Sequence, residues 1–158
     1  MQAFRKKYDP LWNTLAPHIT LVFPFDTITE NEVIDHLNSV ASKTQAFQIH
    51  LNDFMKSFDD YLFLIPTEGR EKMHDLHDKL YTKVLLPHLR TDIPFIPHIT
   101  IGLFRKKDSQ FQEKLYNVAL VEAKTVGFEF RCTFDAMSLI QGDGLAPAKI
   151  IKTFEFAS

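Results

Sequence analysis

One tetrapeptide, Pro-His-Ile-Thr, occurs twice in this chain of 158 residues, at 17–20 and at 97–100. Each copy opens a short apolar run, PHITLVF in the first and PHITIGLF in the second. His18 and His98 are 80 residues apart, which is about half of the chain. A repeat with this spacing predicts a fold of two similar halves, in which equivalent strands carry equivalent side chains.

Both runs are predicted to be β-strands whose histidine and threonine share one face. Successive side chains of a strand point to opposite faces, so His18 and Thr20 face the same way. In the second copy His98, Thr100 and Gly102 share a face, and Gly102 is expected to leave room there for a ligand. A duplicated fold would bring two imidazoles and two hydroxyls to a common centre.

The order helix, strand, strand follows each motif. After the first motif, Thr29 and Glu32 give a capping-box signature for a helix over 29–41. The segments 47–54 and 61–66 then predict a β-hairpin, because apolar residues alternate across a short polar loop.

The second half predicts the same elements. Asp108 is expected to cap a helix over 108–119 whose apolar face is Phe111, Leu115, Val118 and Ala119. Strands are expected over 126–141 and 148–156, separated by the turn Gly142-Asp143-Gly144. A helix of about 67–86 joins the halves, with its buried face formed by Met73, Leu76, Leu80 and Val84.

Composition limits where the protein acts and what it binds. The formal net charge of −2 gives no overall polycation to hold long nucleic acid. Basic runs at 5–7 and 105–107 are typical of solvated surface, although their nearness to the motifs leaves a phosphate-attracting role open. Cys132 is the single cysteine, no apolar run reaches the length of about 18 residues that a membrane span needs, and no signal peptide is evident. We expect a cytoplasmic protein without membrane contact.

At these residues the chain resembles the two-histidine (2H) phosphoesterase superfamily, also called the LigT-like or 2′-5′ RNA ligase family. That family is named for two His-x-Thr motifs, which here are His18-Ile19-Thr20 and His98-Ile99-Thr100. The segment RKKYDPLWNTLAPHITLVFPF (5–25) is also similar to the bacterial YjcG-like branch, in which Tyr-Asp-Pro precedes the first motif. The resemblance covers essentially the whole chain.

The resemblance implies a duplicated, two-lobed α+β fold, with antiparallel-rich sheets around a central cleft and helices outside. One domain would span 1–158, with lobes of roughly 1–66 and 95–158 joined by the helix at about 67–86. The first strand of the family is apparently absent from this chain, which begins in the Arg-Lys-x-Tyr-Asp-Pro region. We therefore expect an open sheet edge beside the first motif to be covered by residues 1–8, by a partner chain or by further residues upstream.

The paired motifs fit acid–base chemistry on a cyclic phosphate. Hydrolysis needs a water deprotonated on one side of phosphorus and the leaving ribose oxygen protonated on the other. Histidine titrates near neutrality, so His18 and His98 can serve as general base and general acid, although the sequence does not say which is which. Thr20 and Thr100 can hydrogen-bond the non-bridging oxygens. This scheme needs no metal and no other cofactor.

Other residues have weaker claims to a role in the site. Arg105 is a candidate phosphate ligand and Phe25 a candidate for stacking on a base, with surface placement and core packing as the respective alternatives. His74 and His77 are spaced as metal ligands could be, but no third ligand is evident, and helix histidines near the edge of the buried face are the better interpretation.

These observations predict a metal-independent phosphodiesterase that hydrolyses the 2′,3′-cyclic phosphate of an RNA end or nucleotide. Reversal, with a 5′-hydroxyl as nucleophile, would make it a 2′-5′ RNA ligase. Another cyclic phosphate, such as ADP-ribose 1″,2″-cyclic phosphate, or a 2′-5′ oligonucleotide is an alternative substrate. A non-catalytic module that binds an RNA end or nucleotide is the alternative from another class. Whether the protein is a monomer or a dimer stays open.

Overall fold

The structure, a computed structural model, describes residues 1–26, 28–143 and 145–157. Its helices are α1 (Gln2–Tyr8), α2 (Glu30–Ala41), α3 (Arg70–Leu80), a 3₁₀ helix (Lys83–His88) and α4 (Glu113–Val126). Its strands are β1 (Phe47–Lys56), β2 (Tyr61–Glu68), β3 (Ile99–Leu103), β4 (Phe130–Phe134), β5 (Ala136–Gln141) and β6 (Lys149–Glu155).

The strands form two antiparallel sheets, which confirms the predicted α+β class. One sheet has the order β3-β2-β1-β4 and the other is the hairpin β5-β6. The hairpin predicted over 47–54 and 61–66 is confirmed as β1 and β2. The strand expected over 126–141 starts late, because α4 continues to Val126 and ends at Gly127, whose φ of 67° suits glycine. Gly144 of the predicted turn lies outside the described residues.

Helix α2 begins where its sequence predicts. The Thr29 hydroxyl accepts a hydrogen bond from the backbone N–H of Glu32, and the Glu32 carboxylate accepts one from the backbone N–H of Thr29. This capping box satisfies two amide donors that the first helical turn leaves without partners. Val33, Leu37 and Ala41 then bury one face of the helix.

The second motif lies on β3, but Gly102 does not share the face of Thr100. Thr100 pairs with Phe63, whereas Gly102 pairs with Leu62, so the register slips by one residue between them. A slip of one residue exchanges the two faces of a strand. A Cβ built on Gly102 would lie 2.8 Å from Cε2 of Phe104 and 3.1 Å from Cβ of Tyr8. The expectation that Gly102 makes room for a ligand is therefore wrong: it makes room for the Phe104 ring and α1.

The first motif does not form the predicted strand. Residues 16–26 are irregular, with a bend at Leu21 and Val22. A strand exists only where a neighbouring strand takes up its backbone hydrogen bonds. Here the carbonyl of Leu21 accepts from the His77 ring, and the N–H of Phe23 donates to the Tyr81 hydroxyl. Side chains at the carboxyl end of α3 thus supply the hydrogen-bond partners that a neighbouring strand would otherwise provide.

The connecting helix is shorter than predicted. Helix α3 ends at Leu80, and a 3₁₀ helix follows from Lys83, whose φ of 49° interrupts the helical path. The Thr82 hydroxyl donates to the carbonyl of Lys79 and so competes with helix propagation. Of the predicted buried face, Met73, Leu76 and Leu80 are buried, whereas Val84, in the 3₁₀ helix, is only partly buried.

Helix α4 differs from the prediction in its start and in its buried face. It starts at Glu113, while Asp108 accepts a hydrogen bond from Gln110 in the preceding turn. Its buried residues are Tyr116, Ala119 and Ala123, and the predicted Phe111, Leu115 and Val118 are exposed. The sequence carries two apolar stripes here. The buried one is the stripe whose small alanines let the helix approach closely, with Tyr116 edge-on to Phe104.

Residues 1–8 fold back, but onto the second half of the molecule. Helix α1 packs against β3 and buries Phe4 and Tyr8, and Phe4 meets Phe128 edge-on. The open edge predicted beside the first motif does not arise in the expected form, because residues 18–23 make no strand. Within the part of the chain that the structure describes, no helix has both the length and the apolar character needed to cross a membrane.

Candidate active site

The two motif histidines are held in the same way. Nδ1 of His18 lies 2.8 Å from the carbonyl oxygen of Ala16, and Nδ1 of His98 lies 2.5 Å from that of Ile96. In each case the carbonyl belongs to the residue two positions earlier. A carbonyl oxygen can only accept, so both Nδ1 atoms carry a hydrogen. Each Nε2 is therefore the ring nitrogen left to gain or lose a proton.

His98 lies in an environment that favours its neutral form. Phe63 of β2 stacks on its imidazole, with ring centroids 3.5 Å apart and planes 19° from parallel. Burial lowers the pKa of His98 below its ordinary value of 6.5, and the nearby His18 lowers it further. The hydrogen bond to Ile96 and the Asp59 carboxylate act in the opposite direction. A neutral imidazole with a free Nε2 can accept a proton from water.

The effect of His18 on the pKa of His98 also shows that the two rings share one region of the molecule. The motif threonines occupy different backbones in that region. Thr100 lies in the β2–β3 ladder opposite Phe63, and Thr20 lies in the irregular segment just before the bend. Both are partly exposed. Their predicted contacts with phosphate oxygens stay predictions.

The approach to His18 is fixed by a buried ion pair that the sequence analysis missed. Nε of Arg5 lies 2.8 Å from Oδ2 of Asp9, and its NH1 donates to the carbonyl of Leu15 at 2.8 Å. Leu15 directly precedes Ala16, whose carbonyl holds His18. Arg5 was interpreted as part of a basic surface run. Its spacing of four from Asp9 within one helix is the signal that could have identified the pair.

The rest of that basic run is also engaged within the protein. Lys7 pairs with Glu122 at 2.6 Å, and Nζ of Lys6 lies 5.3 Å from the centroid of the Trp12 ring. These contacts favour the surface interpretation of Lys6 and Lys7 over phosphate attraction.

Phe25 and Arg105 do not join the two histidines in any described contact. Phe25 lines an open groove of about 380 Å³ with Pro24, Asp26 and residues 87–90, and its ring lies 5.8 Å from that of His88. Arg105 lies beyond the far end of β3 from His98, and its Nε is 3.0 Å from Oδ2 of Asp60. Stacking by Phe25 and phosphate binding by Arg105 stay predictions. The ion pair with Asp60 weighs against phosphate binding by Arg105.

His77 is buried and bonded to the carbonyl of Leu21, whereas His74 is half-buried at the edge of the buried face. Its ring stacks on Phe95 at 3.8 Å, and His74 meets the same phenylalanine edge-on at 5.1 Å. In the described ranges no group of three or more His, Cys, Asp or Glu side chains is placed to hold a metal ion.

Comparison with known proteins gives the family. Residues 1–145 match the model of the 2′-5′ RNA ligase superfamily. A candidate phosphoesterase of Oceanobacillus iheyensis is 34% identical over 104 residues, which cover 63% of this chain and 59% of that protein. A candidate phosphoesterase of Bacillus licheniformis is 30% identical over 105 residues, which cover 63% of this chain and 60% of that protein. The match thus spans about three-fifths of the length of these relatives.

Solved structures share the fold. E. coli LigT complexed with 3′-AMP superimposes with a TM-score of 0.61 at 15% identity, covering 100% of this chain and 94% of that chain. A structure described as a phosphoesterase gives a TM-score of 0.62 at 16% identity, with the same coverage. The family model accounts for most of the sequence and the fold agrees with it, so the chain belongs to the 2′-5′ RNA ligase superfamily, as its paired His-Ile-Thr motifs predict.

Proposed function

We propose that this protein is a metal-independent phosphodiesterase that hydrolyses a 2′,3′-cyclic phosphate on a nucleotide or RNA end. His98 is the general base and His18 is the general acid. The observation that carries the proposal is the matched hydrogen bonding of the two rings. Both Nδ1 atoms are occupied by carbonyl oxygens, so both Nε2 atoms are left for proton transfer.

The assignment of roles rests on the surroundings of His98. A general base must be unprotonated when the substrate binds, and burial beneath Phe63 favours the neutral ring by lowering the pKa of His98. When His98 accepts a proton from water, the hydroxide oxygen forms a bond to phosphorus. The bond from phosphorus to one ribose oxygen breaks, and His18 delivers its proton to that oxygen. The product is a phosphomonoester with a neighbouring hydroxyl.

Thr20 and Thr100 are proposed to bind the non-bridging phosphate oxygens, on which charge increases in the transition state. A nucleotide as ligand has support from the fold relatives, since LigT structures are described as complexes with 3′-AMP and with ATP. With a 5′-hydroxyl in place of water as the nucleophile, the same two proton transfers would join two RNA ends by a 2′-5′ linkage as the 3′-oxygen leaves. Water is in large excess, so hydrolysis dominates in dilute solution.

The pH dependence tests the role of His98. Because its pKa lies below 6.5 in the folded protein, the ring becomes a competent base at a pH below 6.5. We expect kcat/KM for 2′,3′-cyclic AMP to rise with pH along a limb centred below 6.5 and to fall again at higher pH, as paired acid–base catalysis requires. Activity should be unchanged in EDTA. A rate that EDTA abolishes and a divalent ion restores would overturn the proposal, and ³¹P NMR of the product identifies which ribose oxygen leaves.

Replacing the ring that covers His98 should move this limb. In Phe63→Leu, water reaches more of the imidazole, desolvation weakens and the pKa of His98 rises toward 6.5. The acidic limb of kcat/KM should shift to higher pH by the same amount. Phe58→Leu is the matched control, because that phenylalanine is 72% exposed in the preceding turn. An unmoved limb in Phe63→Leu would show that another group titrates.

Tight binding of cyclic nucleotide without turnover at any pH would favour the non-catalytic alternative. A survey of cyclic phosphates that includes ADP-ribose 1″,2″-cyclic phosphate and 2′-5′ oligonucleotides would then separate a different substrate from a binding role.

A further inference from the structure

We propose that His77 of α3 and Tyr81, the residue directly after that helix, position the first His-Ile-Thr motif for catalysis and tie it to the second. The two side chains are called the α3 clamp below. The catalytic part of this inference rests on the proposed function. Neither residue is assigned to touch substrate, so both are positioning residues.

The clamp holds the backbone on both sides of the bend that follows Thr20. Nδ1 of His77 donates to the carbonyl of Leu21 at 2.7 Å, and the Tyr81 hydroxyl accepts from the N–H of Phe23 at 2.9 Å. His77 lies in the last turn of α3 and Tyr81 directly follows Leu80, the last residue of that helix. The carboxyl end of α3 therefore fixes one acceptor and one donor of the motif segment.

These bonds lie in a buried setting, where they are hard to replace by water. His77 is 5% exposed and Tyr81 is 3% exposed. Their rings also meet each other edge-on, with centroids 4.8 Å apart. Burial lowers the pKa of His77 and so favours a neutral ring whose Nδ1–H points to Leu21. Leaving a buried hydrogen-bonding group without its partner is costly, so this geometry is strongly preferred.

His77 also reaches the second motif. Its ring stacks on Phe95, with centroids 3.8 Å apart and planes 11° from parallel. Phe95 adjoins Ile96, whose carbonyl fixes Nδ1 of His98. One imidazole on α3 therefore contacts the backbone just after one motif and the side chain just before the other.

The carboxyl end of α3 is anchored independently. Nε2 of His36, on α2, lies 2.8 Å from the carbonyl of Leu80, the last residue of α3. The ring donates this hydrogen bond, because a carbonyl can only accept. This bond holds the carboxyl end of α3 against α2. Both clamp side chains belong to this end of the helix or directly follow it.

Three variants separate hydrogen bonding from packing. His77→Phe keeps a ring on Phe95 and loses the donor to Leu21. His77→Asn keeps an N–H the same number of bonds from the backbone and loses the ring. Tyr81→Phe removes only the hydroxyl that accepts from Phe23. We expect His77→Phe and Tyr81→Phe to lower kcat by about 10²-fold, since a small misplacement of a catalytic group has effects of this size. KM should change less than kcat, and His77→Asn should keep clearly more activity than His77→Phe.

Amide hydrogen exchange supplies a readout that needs no substrate. In Tyr81→Phe the Phe23 amide should exchange faster, while the Thr100 amide in the β2–β3 ladder should keep its protection. His74→Phe is the matched control, because His74 lies on the same helix and touches the same Phe95 without a hydrogen bond to the first motif. It should change neither kcat nor exchange.

Two results would overturn the clamp. One is a gain in Phe23 exchange with wild-type kcat in both His77→Phe and Tyr81→Phe. The other is wild-type kcat and exchange in His77→Phe together with a loss of kcat in His77→Asn, which would indicate that packing alone matters. If the wild-type protein turned over no cyclic phosphate, the proposed function would fail, but faster exchange confined to 18–25 in the clamp variants would still support the clamp.

Discussion

Replacing His98 with alanine is expected to lower kcat for a 2′,3′-cyclic nucleotide by about 10²–10⁴-fold, the usual contribution of a general acid or base. His18→Ala should lose a similar factor, because protonation of the leaving oxygen is needed as much as activation of water. Thr20→Val and Thr100→Val should cost less, since each removes one hydrogen bond to phosphate and leaves both proton transfers in place. Steady-state kinetics at the pH optimum measure all four variants.

The matched control for these variants is His74→Ala, which removes an imidazole that contacts Phe95 but neither motif. Melting temperatures should confirm that each variant is folded before its rate is interpreted. If His18→Ala and His98→Ala both kept most of the wild-type rate, two-histidine catalysis would be excluded. Loss in only one of them would mean that another group or the solvent fills the second role.

The largest expected effect on folding comes from Asp9. Asp9 and Arg5 form an ion pair at 2.7 Å in which each side chain is 3% exposed. Asp9→Ala leaves the guanidinium buried without its partner, and removing one member of such a pair typically costs about 3–5 kcal/mol. We expect the free energy of unfolding, measured by urea titration, to fall by that amount. Activity should fall as well, because Arg5 also holds the carbonyl of Leu15 on the approach to His18.

An exposed ion pair of the same helix provides the comparison. Lys7, 56% exposed, pairs with Glu122, and Lys7→Met should change the free energy of unfolding far less than Asp9→Ala does, because solvent screens the pair. The double variant Arg5→Met/Asp9→Leu should recover part of the stability lost in Asp9→Ala, because it removes both buried charges. Equal losses in Asp9→Ala and Lys7→Met would contradict the structural role of the buried pair.

Local signals in the sequence were sufficient for much of the fold. The Thr29–Glu32 capping box and the β1–β2 hairpin depend on residues close together in the chain, and both are confirmed. The family is confirmed by the match to the family model. It could be predicted because two identical tetrapeptides half a chain apart are a specific signal, whereas one alone would not be.

The errors concern features that distant residues decide. Strand alternation predicts that Gly102 shares the face of Thr100. The register slip against Leu62 and Phe63 turns Gly102 to the core instead, and the residues of β3 alone do not indicate this slip. Alternation was also applied to the first motif, where no strand forms. The burial of Arg5 is not visible in its basic run, because one of its partners is the carbonyl of Leu15, ten residues away. Phe63 was missed because its contact with His98 crosses between strands.

The two nearly identical motifs differ in how many interactions hold their backbones in place. The second lies in a β-ladder with several backbone pairs, so that the remaining pairs can compensate for a change at one of them. The first is held by the side chains of His77 and Tyr81, with Arg5 bonded to Leu15 just before it, and by no ladder among the described residues. In a saturation scan for function, β3 should therefore tolerate conservative changes broadly. Loss of function from changes affecting the first motif would concentrate at a few positions, including one on a helix that contains neither motif and one directly after it.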